Sequence, residues 1–237
     1  MPNDFGRFLD HTLLRPTGTT ADVRQLCAEA MEHGMAAVCV FPSYVAQARD
    51  LLKDSRVRVA TVIAFPFGVT FTEIKEAELR AAAKLGAGEA DFVINIAALK
   101  SGAASTVEKE MQHLTEKARG LGVVTKFIIE TAYLSHEEKL LTCNIANRVR
   151  PDFMKTSTGF GPSGATVQDV KLMRDNLLPE IQIKAAGGIR TYKDARALLE
   201  AGASRLGTSS GIAIVHERLR MQARQGAAIN EKEAGKS

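Results

Sequence analysis

The sequence predicts a single-domain α/β protein, and a closed (β/α)8 TIM barrel is the leading fold. Eight short segments rich in Val and Ile alternate with eight amphipathic segments from one end to the other. Strands that are apolar on both faces are typical of parallel sheets covered by helices. Eight strand–helix units in 237 residues average about 30 residues each, the usual size of a βα repeat. A doubly wound open sheet is the alternative that this pattern leaves open.

The predicted strands are short and suited to burial on both faces. They are Phe8–Leu14, Ala36–Phe41, Val57–Phe65, Ala90–Ile96, Val123–Glu130, Asp152–Thr156, Ile181–Ala186 and Ser204–Gly207. The predicted helices between them carry charged outer faces at the helical period. They are Thr20–His33, Tyr44–Lys53, Thr72–Leu85, Ala104–Gly120, His136–Val149, Val167–Asn176, Tyr192–Ala201 and Ile212–Gln225.

Capping signals support these helix boundaries. A Ser or Thr with an acid three residues later can form a reciprocal capping box at a helix start. Six such pairs precede predicted helices: Thr19/Asp22, Thr70/Glu73, Ser105/Glu108, Ser135/Glu138, Thr166/Asp169 and Thr191/Asp194. Glycines able to adopt a left-handed C-cap follow four helices, namely Gly34, Gly86, Gly120 and Gly202. We assign residues 1–226 to the barrel and expect 227–237 to form a flexible tail.

Composition favours a cytoplasmic protein that binds small anions. No apolar run approaches the roughly 20 residues of a membrane span, and Met1–Phe8 lacks the hydrophobic stretch of a signal peptide. The three cysteines and five histidines lack ligand spacing, so neither a disulfide nor a metal site is expected. A net charge of +4 is spread along the chain, which favours anionic small molecules over nucleic acid.

Two lysines occupy equivalent ends of neighbouring predicted strands. Lys155 follows two apolar residues and opens a polar loop, and Lys184 ends the next strand in the same way. Burying an unpaired ammonium is costly, so a lysine at such a position indicates that its amine is used. Two adjacent ammonium groups also lower each other's proton affinity. This arrangement predicts a neutral, nucleophilic amine near neutral pH.

Asp91 lies inside an apolar predicted strand and needs a cation. Lys155 and Lys184 are both candidates for that cation, and a purely structural buried ion pair is an equally good interpretation. On alternation, Asp91 should share one strand face with Asn95.

Four other side chains carry weaker signals. Asp10 and Thr12 face inward on the first predicted strand, where they either orient the amines or hold a network at the bottom of the barrel. Cys39 is interpreted as a small core residue. Lys126 shares a strand face with Glu130, which fits an outward salt bridge as well as a role in the site.

Small residues follow the last two predicted strands, where barrels often bind phosphate. Gly187 and Gly188 allow backbone N–H groups to approach an anion, and Ser209 and Ser210 add hydroxyl donors beside a helix start. Tight turns that require glycine are the alternative interpretation. The segment Gly159–Gly164 matches G-x-G-x-x-G, but its proline removes an amide, so we interpret it as a rim with Gly159 near the anion.

Seven motifs, in order along nearly the whole chain, resemble those of the deoxyribose-phosphate aldolase family. They are D-H-T-L-L at Asp10–Leu14, A-V-C-V at Ala37–Val40, D-F-V-I-N-I at Asp91–Ile96, I-I-E-T at Ile128–Thr131, D-F-M-K-T-S-T-G at Asp152–Gly159, K-A-A-G-G-I-R at Lys184–Arg190 and G-T-S-S-G at Gly207–Gly211. The two lysine motifs are the most specific part of the resemblance.

The resemblance implies reversible cleavage of 2-deoxy-D-ribose 5-phosphate to acetaldehyde and D-glyceraldehyde 3-phosphate, with no metal or organic cofactor. It implies the Schiff-base role for Lys155 and proton-relay roles for Asp91 and Lys184. The phosphate-binding residues that it implies are Gly159, Gly187, Gly188, Ser209 and Ser210. The chain departs from some relatives at Phe160, where they carry a lysine, and in having Tyr192 as its last tyrosine.

Two other functions remain open at this level. Another sugar-phosphate lyase or isomerase would keep the anion loops without needing two lysines, and a non-catalytic sugar-phosphate-binding protein would gain little from an amine of lowered pKa. The expected partners are a sugar phosphate and an aldehyde, with neither nucleic acid nor membrane. A homo-oligomer is expected, with a dimer favoured.

Overall fold

The chain folds into a closed barrel of eight parallel strands surrounded by helices. The computed structural model describes residues 5–234, of which 225–234 are described by their backbone alone. The strands are β1 Leu9–Leu13, β2 Ala37–Val40, β3 Arg58–Ile63, β4 Glu89–Val93, β5 Val124–Ile128, β6 Phe153–Lys155, β7 Gln182–Ala186 and β8 Arg205–Thr208. They follow one another around the barrel in chain order, and β1 pairs with both β2 and β8. This closure confirms the predicted barrel and excludes the open sheet.

The helices cover the outside of this barrel. They are α1 Thr20–Glu32, α2 Val45–Leu52, α3 Thr72–Leu85, α4 Ile96–Lys100, α5 Ala104–Gly120, α6 His136–Val149, α7 Val167–Asn176, α8 Tyr192–Glu200 and α9 Gly211–Ala234. The predictions for α3, α5, α6 and α7 have the observed bounds. The short helix α4 was not predicted, and α9 extends nine residues past its predicted end at Gln225.

Capping explains most of the helix starts. Thr19 and Ser135 form complete capping boxes, and Thr166 and Thr191 each accept a hydrogen bond from the third helical amide. The other two predicted caps are wrong. Helix α3 begins after Phe71 rather than Thr70, and Ser105 lies inside α5, which begins after Ala103.

Helix ends follow the glycine signals in three of four cases. Gly34, Gly86 and Gly202 have positive φ, as expected of left-handed caps. Gly120 is instead the last residue of α5, and Gly122 takes the left-handed conformation.

Strand β4 is the strand whose bounds matter most for the interior. It begins at Glu89 and ends at Val93, so it lies earlier in the chain than predicted. Asn95 is the N-cap of α4 and accepts from the amide of Ala98 at 3.0 Å. The prediction that Asn95 shares a strand face with Asp91 is therefore wrong, because the strand has ended before it.

The main apolar core lies between the strands and the helices. Phe92 of β4 and Phe127 of β5 stack there with ring centroids 5.3 Å apart, and both are fully buried. Because side chains alternate along a barrel strand, their neighbours Asp91 and Lys126 point into the barrel. A separate small cluster of buried apolar residues contains Leu14, Ala37, Cys39, Ala60 and Val62.

The last residues that the structure describes belong to helix α9. The backbone of α9 continues to Ala234, and residues 235–237 lie outside the described residues. The flexible tail assigned to 227–237 therefore falls partly on this helix, and its flexibility stays a prediction. Over residues 5–234, no helix has both the length and the apolar character needed to cross a membrane.

Candidate active site

Three buried lysines converge on Asp91 inside the barrel. One carboxylate oxygen, Oδ2, accepts from Nζ of Lys155 and from Nζ of Lys184, each at 2.7 Å. The other, Oδ1, accepts from Nζ of Lys126 at 2.8 Å. All four side chains are buried. Both cations that the sequence left open for Asp91 are thus its partners, and Lys126 is a third.

Strand register explains how these side chains meet. Lys155 and Lys184 are direct partners on β6 and β7, and Asp91 and Lys126 are partners on β4 and β5. Lys155 also pairs with Ile128, two residues beyond Lys126, so its Cα lies one inward layer above Asp91. The four-carbon stem of lysine spans that layer. The outward salt bridge considered for Lys126 is wrong, because its amine lies inside the barrel.

A second carboxylate holds Lys184. Its Nζ lies 2.5 Å from Oδ2 of Asp10, whose Oδ1 accepts from Arg205 at 2.6 Å. Burial alone would raise the pKa of Asp10, but the charges of Lys184 and Arg205 outweigh it and lower that pKa to about 2. Asp10 therefore both orients an amine and joins a network below the site. Thr12 donates its hydroxyl proton to the Asp10 carbonyl oxygen at 2.9 Å.

The two lysines that share an oxygen of Asp91 have pKa values shifted in opposite directions. Burial is the main reason that the pKa of Lys155 is lowered; Asp91 opposes this effect and the charge of Lys184 adds to it. Burial also disfavours the charge on Lys184, but Asp10 and Asp91 together raise its pKa. Lys155, with one carboxylate partner, thus gives up its proton before Lys184, which has two. The sequence attributed the neutral amine to the cationic neighbour, whereas burial contributes more.

Lys155 lines a cavity of about 410 Å³ at the carboxyl ends of the strands, a volume typical of small-molecule sites. The cavity is lined by loops after β1, β6, β7 and β8. It includes every residue predicted to hold phosphate, namely Gly159, Gly187, Gly188, Ser209 and Ser210. The structure therefore brings the predicted anion loops to the same cavity as the lowered-pKa amine.

Backbone packing explains the glycines of these loops. Gly187 has φ +87°, and a Cβ on Gly164 would lie 2.1 Å from the Gly187 carbonyl oxygen. The β6–α7 and β7–α8 loops thus approach backbone to backbone, which no side chain would allow. Glu130 also holds the β6–α7 loop, because its buried carboxylate accepts hydrogen bonds from the amide and the hydroxyl of Thr158.

The mouth of the cavity carries cations that the sequence argument did not single out. Arg15 and Arg190 both line it, and Arg15 lies 2.7 Å from Asp22. Phe160 lines the same mouth, is about half exposed, and packs edge-on against Phe65 with centroids 5.4 Å apart. Arg190 lies two residues after Gly188 of the predicted phosphate loop, which is the signal that could have identified it.

Cys39 lies inside the barrel near the lysines and is fully buried. Burial raises the pKa of its thiol to about 11. The thiol is therefore protonated near neutral pH, as expected of a small core residue and not of a nucleophile. In the part of the chain that the structure describes, no group of three or more His, Cys, Asp or Glu side chains is placed to hold a metal ion.

Comparison with known proteins gives consistent matches over the barrel. A family model described as DeoC/LacD family aldolase matches residues 7–217. A deoxyribose-phosphate aldolase of Thermococcus gammatolerans is 50% identical over 214 residues, covering 90% of this chain and 95% of that protein. One from Caldanaerobacter subterraneus subsp. tengcongensis is 47% identical over 215 residues, covering 90% and 93%. The tetrameric deoxyribose phosphate aldolase structure from Aeropyrum pernix has a TM-score of 0.85 at 31% identity, covering 91% of each chain.

Proposed function

The chain belongs to the DeoC/LacD family of aldolases, and from this premise we propose that it cleaves 2-deoxy-D-ribose 5-phosphate reversibly to acetaldehyde and D-glyceraldehyde 3-phosphate. Relatives named deoxyribose-phosphate aldolase match 90% of the chain. The observation that carries the proposal is the shared oxygen of Asp91, which holds one amine of lowered pKa and one of raised pKa. A neutral amine can attack an aldehyde, and an ammonium beside it can protonate the oxygen that must leave.

In this mechanism, Lys155 is the nucleophile and Lys184 the proton donor. The neutral amine of Lys155 attacks C1 of the open-chain sugar, and the ammonium of Lys184 supplies the proton with which the C1 oxygen leaves as water. The resulting iminium draws electrons from the C2–C3 bond as the C3 hydroxyl loses its proton. Glyceraldehyde 3-phosphate leaves, and C2 of the enamine takes a proton to become the methyl carbon of acetaldehyde. Water then releases the product from Lys155.

Asp91 acts as the bridge for these protons. Three lysines surround it, and despite its burial they hold its pKa well below the usual value. A carboxylate of such low proton affinity is a weak base by itself. We therefore assign the proton transfers at C2 and at the C3 hydroxyl to Asp91 acting through Lys184 or a water, with its carboxylate keeping the amines in register.

We assign the phosphate group of the substrate to the mouth of the cavity that Lys155 lines. Gly159, Gly187 and Gly188 line this mouth without side chains, so an anion can approach their backbone amides, and Ser209 and Ser210 line it directly before α9. Arg15 and Arg190 supply positive charge at the same mouth, which the aromatic side chain of Phe160 cannot provide.

Placing a negative charge among these loops should separate phosphorylated from unphosphorylated substrates. In Ser210→Glu, we expect kcat/KM for 2-deoxy-D-ribose 5-phosphate to fall by about 10–100-fold, because the carboxylate repels the dianion. Turnover of 2-deoxy-D-ribose should change little. The matched control is Ser105→Glu on the exposed surface of α5. Equal losses with both substrates would contradict the phosphate site.

Two coarser expectations accompany this function. We propose that the chain forms a homo-oligomer, with a dimer as the basic unit; barrels often associate, and the Aeropyrum pernix relative is described as tetrameric. Analytical ultracentrifugation measures this directly. A cytoplasmic location remains a prediction, which cell fractionation would test.

A further inference from the structure

Glu89 is a fully buried acid below the proposed reaction centre, and the mechanism above gives it no role. It lies on β4 two residues before Asp91, so the two carboxylates share the inward face. Its Oε2 lies 2.7 Å from Nζ of Lys126 and 3.2 Å from a guanidinium nitrogen of Arg205. Its Oε1 lies 3.5 Å from Arg58 at the edge of the barrel.

These contacts close a ring of ion pairs across the barrel interior. Lys126 joins Glu89 to Asp91, and Arg205 joins Glu89 to Asp10. Lys184 completes the ring by contacting both Asp10 and Asp91. In order of contact, the ring consists of Glu89, Lys126, Asp91, Lys184, Asp10 and Arg205. Acids and bases alternate, so its formal charges cancel. Lys155 is attached to it only through Asp91 in the contacts described.

This charge balance adds to burial in favouring Lys155, and not a lysine of the ring, as the neutral amine. A charge on any of the three ring cations is matched by the two acids beside it. A proton on Lys155 would instead give the buried cluster a net charge of +1, which is costly away from water. Of the other titratable groups nearby, Cys39 is a neutral thiol and Arg58 is 59% exposed, so solvent screens its charge.

We propose that Glu89 is a positioning residue of the aldol reaction, which supplies the third negative charge of the ring and thereby sets how many protons its lysines hold. With that charge present, Lys126, Lys184 and Arg205 remain cations. Of these four side chains, only Lys155 can be neutral without leaving the charges of the ring unbalanced. The inference rests on the proposed function, because it concerns the protonation of the proposed nucleophile.

The test is the pH dependence of imine trapping at Lys155. Borohydride reduction with acetaldehyde reports the neutral amine, so the trapping rate rises as pH passes through the pKa of Lys155. Glu89→Gln removes a negative charge and makes an ammonium harder to hold. In this variant, the pH midpoint of the trapping rate should therefore move to lower pH by on the order of one unit. Arg205→Gln removes a positive charge and should move the midpoint to higher pH.

The double variant and a control separate charge from structure. In Glu89→Gln/Arg205→Gln the lost charges cancel, so the midpoint should return close to that of the wild type. Glu110→Gln is the matched control: Glu110 is also a buried acid, paired with Lys75 at 2.7 Å outside the ring, and its loss should destabilise the fold without moving the midpoint.

The outcomes distinguish this inference from the proposed function. If the wild type forms no adduct at Lys155, the proposed function fails. If it forms the adduct but Glu89→Gln and Arg205→Gln leave the midpoint unmoved, or move it in the same direction, the role of Glu89 is wrong. Should Glu89→Gln not fold, the shift of Arg205→Gln decides by itself, and an unmoved midpoint overturns the inference.

Discussion

Replacing Lys155 with methionine should lower kcat for 2-deoxy-D-ribose 5-phosphate cleavage by about 10⁴-fold or more, because no imine can form without the amine. The fold should tolerate the change. Methionine has a similar length, and Asp91 keeps two lysine partners after Lys155 is lost. The ring of ion pairs balances its charges without Lys155, so removing this neutral amine should cost little stability. Steady-state kinetics with purified protein, together with thermal unfolding, measure both effects.

Lys75→Met is the matched control for this variant. Lys75 is an equally buried lysine, which donates to Glu110 at 2.7 Å and to the Val93 carbonyl oxygen at 2.8 Å, away from the cavity. It should lose stability, because Glu110 is left buried without its cation, yet keep its turnover while folded. Retention of more than about a tenth of wild-type kcat by Lys155→Met would refute the nucleophile assignment, since loss of a covalent nucleophile costs far more.

Replacing Lys184 with methionine should lower kcat by about 10²–10⁴-fold, the usual contribution of a positioned proton donor. It should also change the pH dependence. The charge of Lys184 lowers the pKa of Lys155, so its removal raises that pKa and moves imine trapping to higher pH. Asp10 loses one of its two cations, so about 3 kcal/mol of stability should be lost as well.

Assays of Lys184→Met should therefore be made where circular dichroism shows a folded protein, and across a range of pH. If kcat recovers fully at high pH, Lys184 acts only through the pKa of Lys155 and does not deliver protons. Full activity at neutral pH would instead favour a reaction that does not need two lysines.

The sequence predicted the barrel and the meeting of Lys155 with Lys184 because both depend on short-range patterns. Apolar strands alternating with capped helices determine the order of elements, and equivalent strand ends place two side chains side by side. The anion loops were predicted for the same reason. Contacts between inward side chains on different strands depend on their height inside the barrel, and such patterns do not predict that height.

Glu89 and Arg205 show what sequence reasoning missed. Glu89 was placed before the start of β4, because the strand was predicted to begin one residue later. Alternation along β5 also predicts that Lys126 shares a strand face with the residues two positions away. It does not predict which of the two faces is inward. Long-range pairs such as Lys75 with Glu110, on helices α3 and α5, are hidden because charged helix positions usually face solvent.

The cause of the neutral amine also needed coordinates. Two lysines in sequence suggest mutual repulsion, yet Asp91 lies between their nitrogens and offsets much of it. Burial is what lowers the pKa of Lys155, and the second carboxylate on Lys184 is what separates the two amines. Neither the degree of burial nor the reach of Asp10 to Lys184 follows from motif spacing.

The most direct test is to reduce the wild-type protein with borohydride in the presence of acetaldehyde and to map the modified peptide by mass spectrometry. The account predicts one added ethyl group on Lys155, with Lys184 and Lys126 unmodified. An ethyl group on Lys184 while Lys155 remains free, or no modification of either lysine, would contradict it.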